Sequence, residues 1–176
     1  MEMSKAFARL YTEHVGDVYG YFAYRFGSRA EAEQLTQATF ERAFRERSSF
    51  GSEPRESRVR LLTIARDAGR GQSAVASANA DDLGLGADLG EALERLERLE
   101  RSVVALRYGG GLASPDIARV LGISEDRARR AQSRGLRRLR TELERPQPAG
   151  DAEPESVPAR GPAGNQEGGN QEQAEP

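Results

Sequence analysis

Pro115-Asp116-Ile117-Ala118-Arg119-Val120-Leu121-Gly122-Ile123-Ser124-Glu125-Asp126 is the stretch that decides how this chain folds. Ile117, Leu121 and Ile123 form an apolar contact set, Ala118 is small where two helices must cross closely, and Gly122 permits the positive dihedral of a tight turn. Ser124 caps the next helix, and Glu125 and Asp126 sit in its first turn, where the helix dipole favours negative charge. A helix, a glycine turn and a capped second helix make a helix-turn-helix, whose second helix lies in the DNA major groove.

The residues beyond the turn separate a DNA reader from an ordinary helical hairpin. Arg127, Arg129, Arg130, Arg134, Arg137, Arg138 and Arg140 are seven arginines with no acid among residues 127–140. The apolar stripe of this helix is Leu136, Leu139 and Leu143, with the small Ala128 and Ala131 nearer its start. A solvated basic face usually intersperses acids for i,i+4 pairing. A run without them repels itself unless something anionic covers it, and each phosphate it neutralises releases counterions. Geometry puts Arg127, Arg129 and Arg130 nearest the base edges and leaves Arg134, Arg137 and Arg138 for phosphates or a partner.

Upstream, periodicity at Leu93, Leu96, Leu99, Val103 and Leu106 predicts a helix that stops at Gly109-Gly110-Gly111. Residues 72–90 are rich in Ala, Ser, Asn, Asp and Gly and read as a linker. Before it, Phe7, Leu10, Tyr11, Val15, Val18, Phe22 and Phe26 give residues 4–26 one apolar helical face, with Ser4 as N-cap and Gly27 as C-cap. Ser28 and Glu31 form a capping box for a second helix through Leu35, Phe40 and Phe44, packed antiparallel to the first. Residues 48–54 are loop, and a third helix over 56–68 buries Val59, Leu61, Leu62, Ile64 and Ala65 before Gly69 and Gly71 end it. The expected fold class is all-α: small helical domains at 1–71 and 91–145, a flexible linker at 72–90, and a disordered acidic tail at 146–176.

Composition narrows the function. The chain has 176 residues, no cysteine, and His14 as its single histidine, which argues against disulfide frameworks, thiolate zinc sites, histidine metal clusters and cysteine nucleophiles. No cofactor, metal or catalytic residue is expected. Residues 1–10 hold no apolar run of signal-peptide length, and no segment approaches the roughly 18 apolar residues of a membrane span, so a soluble cytoplasmic protein without membrane insertion is expected. The net charge of -2 hides an asymmetry. Residues 146–176 carry six acids against Arg160, which leaves 25 basic and 22 acidic residues before Pro146, a net of +3. Only Lys5 among the 26 basic residues is lysine. Arginine's planar fork suits phosphate or guanine edges, and a GC-rich coding bias gives the same excess.

In order and spacing, residues 6–143 resemble a bacterial extracytoplasmic-function (ECF) sigma factor, the two-domain form of the RNA polymerase specificity subunit. The resemblance is carried by Ala32-Glu33-Gln34-Leu35-Thr36-Gln37-Ala38-Thr39-Phe40-Glu41-Arg42-Ala43-Phe44 and Arg60-Leu61-Leu62-Thr63-Ile64-Ala65-Arg66-Asp67 in the front half. In the back half it is carried by Val104-Ala105-Leu106-Arg107-Tyr108, Asp116-Ile117-Ala118, Leu121-Gly122-Ile123-Ser124-Glu125 and Arg134-Gly135-Leu136-Arg137-Arg138-Leu139-Arg140. It implies a region 2 bundle and a region 4 helix-turn-helix that bind core RNA polymerase and direct promoter-specific transcription initiation, the polymerase supplying catalysis.

The resemblance also implies site residues. Glu33, Gln34, Leu35, Gln37, Phe40 and Glu41 would dock on the coiled-coil clamp of the largest polymerase subunit. The loop 48–54 would receive an unstacked base of the minus-ten element, with Phe50 as the stacking ring. Ser124 and the arginines through Arg138 would read the minus-thirty-five duplex, and the helix over 99–108 would help hold the polymerase flap. An anti-sigma factor is a further partner by family habit. The chain departs from the family pattern at Gln34 and Ala38, where acids are usual, at Arg60, where tryptophan is usual, and at Ala128, where a larger aliphatic is usual. Gln34, Arg60 and Ala128 motivate the alternative of a degenerate sigma-like regulator that binds without supporting initiation.

Overall fold

The computed structural model describes residues 2–71 and 86–145. These hold seven α-helices and no strand. The all-α expectation stands. The expected linker between 72 and 85 and the expected disorder of 146–176 lie outside the described residues.

Helix α1 spans Glu2–Phe26 and α2 spans Arg29–Arg45. Backbone helicity runs through Ser4, so that residue is not the cap expected of it. Gly27 does end α1, at φ +69, and Ser28 caps α2 by accepting the Glu31 N–H at 3.4 Å. Only Gly27 intervenes between α1 and that cap, so the two helices fold back on each other, burying Val18, Phe22 and Phe26 against Leu35 and Phe40. A 3-10 turn at Arg47–Ser49 leads to α3, Pro54–Ala68, which starts two residues earlier than expected because Pro54 fits the first helical position. Its buried side is the expected one: Val59, Leu61, Leu62, Ile64 and Ala65.

The back half departs more from its sequence reading. The helix expected through Leu93 and Leu106 is two helices, α4 at Ala87–Glu94 and α5 at Arg98–Val104, and α4 begins inside the expected linker. Arg101 explains the break. Its guanidinium donates to the carbonyls of Leu93 at 2.8 Å, Leu96 at 3.4 Å and Glu94, which satisfies the open end of α4. Half-burial draws its pKa down, and nearby Arg25 adds to that. Helix α5 widens into a π turn at Ala105–Gly109; α6 follows at Ser114–Leu121 and α7 at Glu125–Leu143. Gly122 joins the last two at φ +67 and ψ 38, the left-handed bend expected of it.

The main core runs from Tyr21, Phe22 and Leu62 into Val103, Leu106, Ile117 and Val120, so it crosses from the front helices to the back ones. A second cluster of Ala92, Leu93, Leu96, Val104 and Leu139 packs α4 and α5 on α7. Met1–Arg145 is accordingly one compact unit, in which the groups expected at 1–71 and 91–145 touch. His14 is buried and hydrogen-bonds Asp17 at 3.1 Å.

Candidate nucleic-acid interface

Ser124 takes extended dihedrals and accepts the Arg127 N–H at 3.3 Å, which starts α7 at the turn. The side of α7 that packs inward is Ala128, Ala131, Gly135 and Leu139, spaced three and four apart. This corrects the sequence reading of the stripe: Leu136 and Leu143 are exposed, and only Leu139 of the three leucines is core. Small residues let α7 lie close on α5. A Cβ on Gly135 would meet Val104 Cγ2 at 3.1 Å and Glu100 Cβ at 3.4 Å. Ala128, where the resemblance leads one to expect a larger aliphatic, is fully buried in the main core.

The arginines divide into two sets. Arg134 Nε donates to Glu100 Oε1 at 3.3 Å, and Arg138 pairs with Glu100 at 3.1 Å and with Glu97 at 2.9 Å. Glu100 has no exposed side-chain surface, and its carboxylate is met there by two guanidiniums and the Glu97 N–H. Arg129 pairs with Glu125 one turn back, and Arg140 approaches Glu144 at 3.9 Å. Arg127, Arg130 and Arg137 are exposed, and their guanidinium groups make no ion pair or hydrogen bond among the described residues. The sequence reading of an uncompensated run is therefore corrected: Arg134 and Arg138 are neutralised across the α5–α7 contact by acids 34 to 41 residues away. At 100° per residue Arg130 and Arg137 share the face opposite the buried stripe, with Arg127 and Arg129 on its two flanks near the capped end. That face can meet a polyanion without first breaking an internal pair.

In the loop ahead of α3, Phe50 is half-buried with the Arg60 guanidinium 5.5 Å from its ring centre. Arg60 also reaches Glu46 at 3.2 Å, so the charge standing where tryptophan is usual ends at the surface. Arg42, hydrogen-bonded to Glu46, holds that carboxyl below the ordinary carboxylate range. Phe50, Ser49, Gly51, Ser57, Arg60 and Arg119 are among the residues lining a cleft of about 240 Å³.

On α2 the six expected docking residues separate. Glu33, Gln34, Gln37 and Glu41 are exposed, Glu33 paired with Arg29 at 2.8 Å and Gln37 donating to Glu41 at 2.9 Å. Leu35 is turned into the core, which leaves it almost no surface for a partner. Phe40 is 5% exposed and floors an apolar groove of about 850 Å³ between α1 and α2. Its walls include Phe7, Tyr11 and Phe44, with Phe7 and Phe44 rings 5.0 Å apart and Tyr11 and Phe44 each 46% exposed. Sequence reasoning placed Phe7 and Tyr11 on one apolar face of α1; ahead of the buried Val18 that face is left partly open as the wall of this groove.

No helix among the described residues is long and apolar enough to cross a membrane, and no group of acids and histidines there could hold a metal ion.

Residues 92–141, from α4 to the last turns of α7, match the family model for sigma-70, region 4. The chain is 32% identical over 156 residues to the ECF RNA polymerase sigma factor BldN of Streptomyces coelicolor, a match covering 76% of this chain and 59% of BldN. It is 27% identical over 154 residues to the ECF RNA polymerase sigma factor SigL of Mycobacterium tuberculosis, covering 77% of this chain and 87% of SigL. Its fold is similar to that of the sigma factor RpoE from Bartonella quintana, solved in complex with the anti-sigma factor NepR: TM-score 0.62, 19% identity, 79% of this chain and 97% of that one. These likenesses agree with the capped, arginine-bearing helix and the α1–α2 pair ahead of it: over about three quarters of its length the chain is similar to ECF RNA polymerase sigma factors, spanning 59% of the length of BldN, and residues 92–141 are a sigma-70 region 4 match.

Proposed function

We propose that this chain binds core RNA polymerase and directs it to promoters, working in the cytoplasm as an initiation factor with no covalent chemistry of its own. The observation that carries the reading is the face of Arg127, Arg130 and Arg137, unpaired among the described residues, on the second helix of a capped helix-turn-helix. Arg127, Arg129 and Arg130, with Ser124, contact the minus-thirty-five duplex near the capped end, and Arg137 contacts phosphate farther along. Arg134 and Arg138 hold α7 on α5 first and contact DNA second. Phe50 stacks on an unpaired base of the minus-ten element.

The front half docks on the polymerase clamp through the exposed Glu33, Gln34, Gln37 and Glu41, with Phe40 and its groove neighbours giving apolar surface. The back half touches the flap near Tyr108, which is 50% exposed. The two groups act as separate domains at 1–71 and 91–145. An anti-sigma factor, such as the one the RpoE neighbour was solved with, is a further partner. The test is run-off transcription with purified core polymerase on fragments of the source genome. Discrete transcripts that require this chain support the reading, and stable DNA binding without transcripts contradicts it.

A further inference from the structure

Arg137 and Arg138 are neighbours in sequence with opposite surroundings. Arg137 lies on the open face of α7, its guanidinium unpaired among the described residues. Arg138, about 100° round the helix, has each terminal nitrogen taken by a different acid of the α5 start: one meets Glu100 Oε2 at 3.1 Å and the other Glu97 Oε1 at 2.9 Å. Arg134 gives Glu100 only its Nε, at 3.3 Å. Among the described residues no other arginine of α7 is held by two acids: Arg129 has Glu125, and Arg140 has Glu144.

The two acids do different things for the fold. Glu100 is fully buried between the helices. Glu97 stands at the N-cap of α5 with its side chain 62% exposed and Arg138 46% exposed, so this pair is solvated and adds little to stability. For an approaching polyanion it counts differently. Glu97, Glu100, Arg134 and Arg138 are two acids and two bases, neutral as a group, beside a face that carries Arg127, Arg130 and Arg137 uncompensated. Without the Glu97 charge the group would hold one net positive charge, on the exposed fork of Arg138. Helix α7 would then offer cations on two sides, and a phosphate backbone could settle on either. Backbone contacts add affinity for every sequence alike, whereas base contacts need one orientation of the helix.

We propose that Glu97 is a specificity-determining residue of the duplex interface. Its carboxylate stands in for a phosphate on Arg138, which keeps that arginine a secondary contact and leaves the side of Arg130 and Arg137 as the one that meets DNA. Glu97 acts through Arg138 and is a positioning residue. The inference rests on the proposed function, in which α7 reads duplex DNA, and deepens it.

The salt dependence of duplex binding by the full chain tests it. The probe is a mixed-sequence duplex of about 30 base pairs, on which each phosphate neutralised contributes about 0.9 to the slope of log K against log salt. Glu97→Gln keeps a side-chain oxygen at the N-cap and steepens the slope by about 0.9, with binding up to about eightfold tighter at about 0.1 M salt. Adding Arg138→Gln removes that increment, whereas Arg138→Gln in the parent removes less than half as much. Glu91→Gln takes the same charge from α4, where Glu91 pairs with Arg95, and leaves the slope unchanged. A fragment enriched from the source genome by the parent loses part of its advantage over the mixed duplex when Glu97→Gln binds it. An unchanged slope in Glu97→Gln overturns the proposal, as does an equal change in Glu91→Gln. So does an equal loss from Arg138→Gln with and without Glu97, or a Glu97→Gln chain that loses its helical circular dichroism. If the parent enriches no fragment, the proposed function falls, and the slopes on the mixed duplex still decide the role of Glu97. A parent that binds no duplex overturns both.

Discussion

Glu100 shows how one residue redistributes the charge of a whole helix. Its carboxylate is fully buried between α5 and α7 and takes Arg134 and Arg138 out of the set of free cations. Glu100→Ala leaves those two guanidiniums without a buried partner. Both are about half exposed and can turn to water, so the cost falls below the 3–5 kcal/mol of a broken, fully buried pair. A loss of about 1–3 kcal/mol in urea unfolding is expected, and an unchanged midpoint would show that the pair holds nothing. Arg130→Ala, by contrast, leaves the fold unchanged and weakens promoter duplex binding by ~1–3 kcal/mol where a base contact is lost. Equal affinity at moderate salt would contradict its placement. The arginines were legible in the sequence as a run. Their division into free and paired was not, because Glu97 and Glu100 lie far back along the chain and meet α7 only through tertiary packing.

Helices were most legible where a cap or a glycine punctuates them. Ser28, Gly27, Ser124 and Gly122 stand where the local pattern put them, since each answers a need of its own few residues: a free N–H or a positive φ. The break between α4 and α5 was not legible. No breaker residue stands there, and the carbonyls of α4 are satisfied by Arg101, a side chain from the next helix. The stripe of α7 was misread for a related reason. Leucines suggest a core by hydropathy, but the inward side of α7 is Ala128, Ala131, Gly135 and Leu139, with Gly135 pressed on α5. Gly135→Val adds volume where Val104 already stands 3.1 Å from the missing Cβ, so a loss of about 1–3 kcal/mol is expected despite the gain in helix propensity. Thermal unfolding of the variant checks this, and a raised melting temperature would mean that α7 is not pressed on α5.

Across the whole molecule, the two halves share a core and a set of ion pairs that composition and periodicity do not reveal, because each half carries a complete helical pattern of its own. Arg119, hydrogen-bonded to Glu56, holds that carboxyl below its ordinary range, and Arg42 does the same for Glu46. A lowered folded pKa means that the unfolded chain binds protons more readily. The contribution of these pairs is complete above the unfolded carboxylate value near 4.3, and is lost as pH falls through the lower folded value. The gap in melting temperature between the parent and Glu56→Gln should therefore be widest near pH 6 and narrow toward pH 3. A gap that does not change with pH would assign the effect to something other than the ion pair.

The central claim is that the free arginine face of α7 meets duplex DNA while the front half holds the polymerase. Its most direct test is footprinting of reconstituted holoenzyme on genomic fragments selected by the parent chain, repeated with Arg127, Arg130 and Arg137 all changed to alanine. Loss of upstream protection, with the polymerase still retained by the variant, is the predicted result. An upstream footprint identical to the parent's would contradict it.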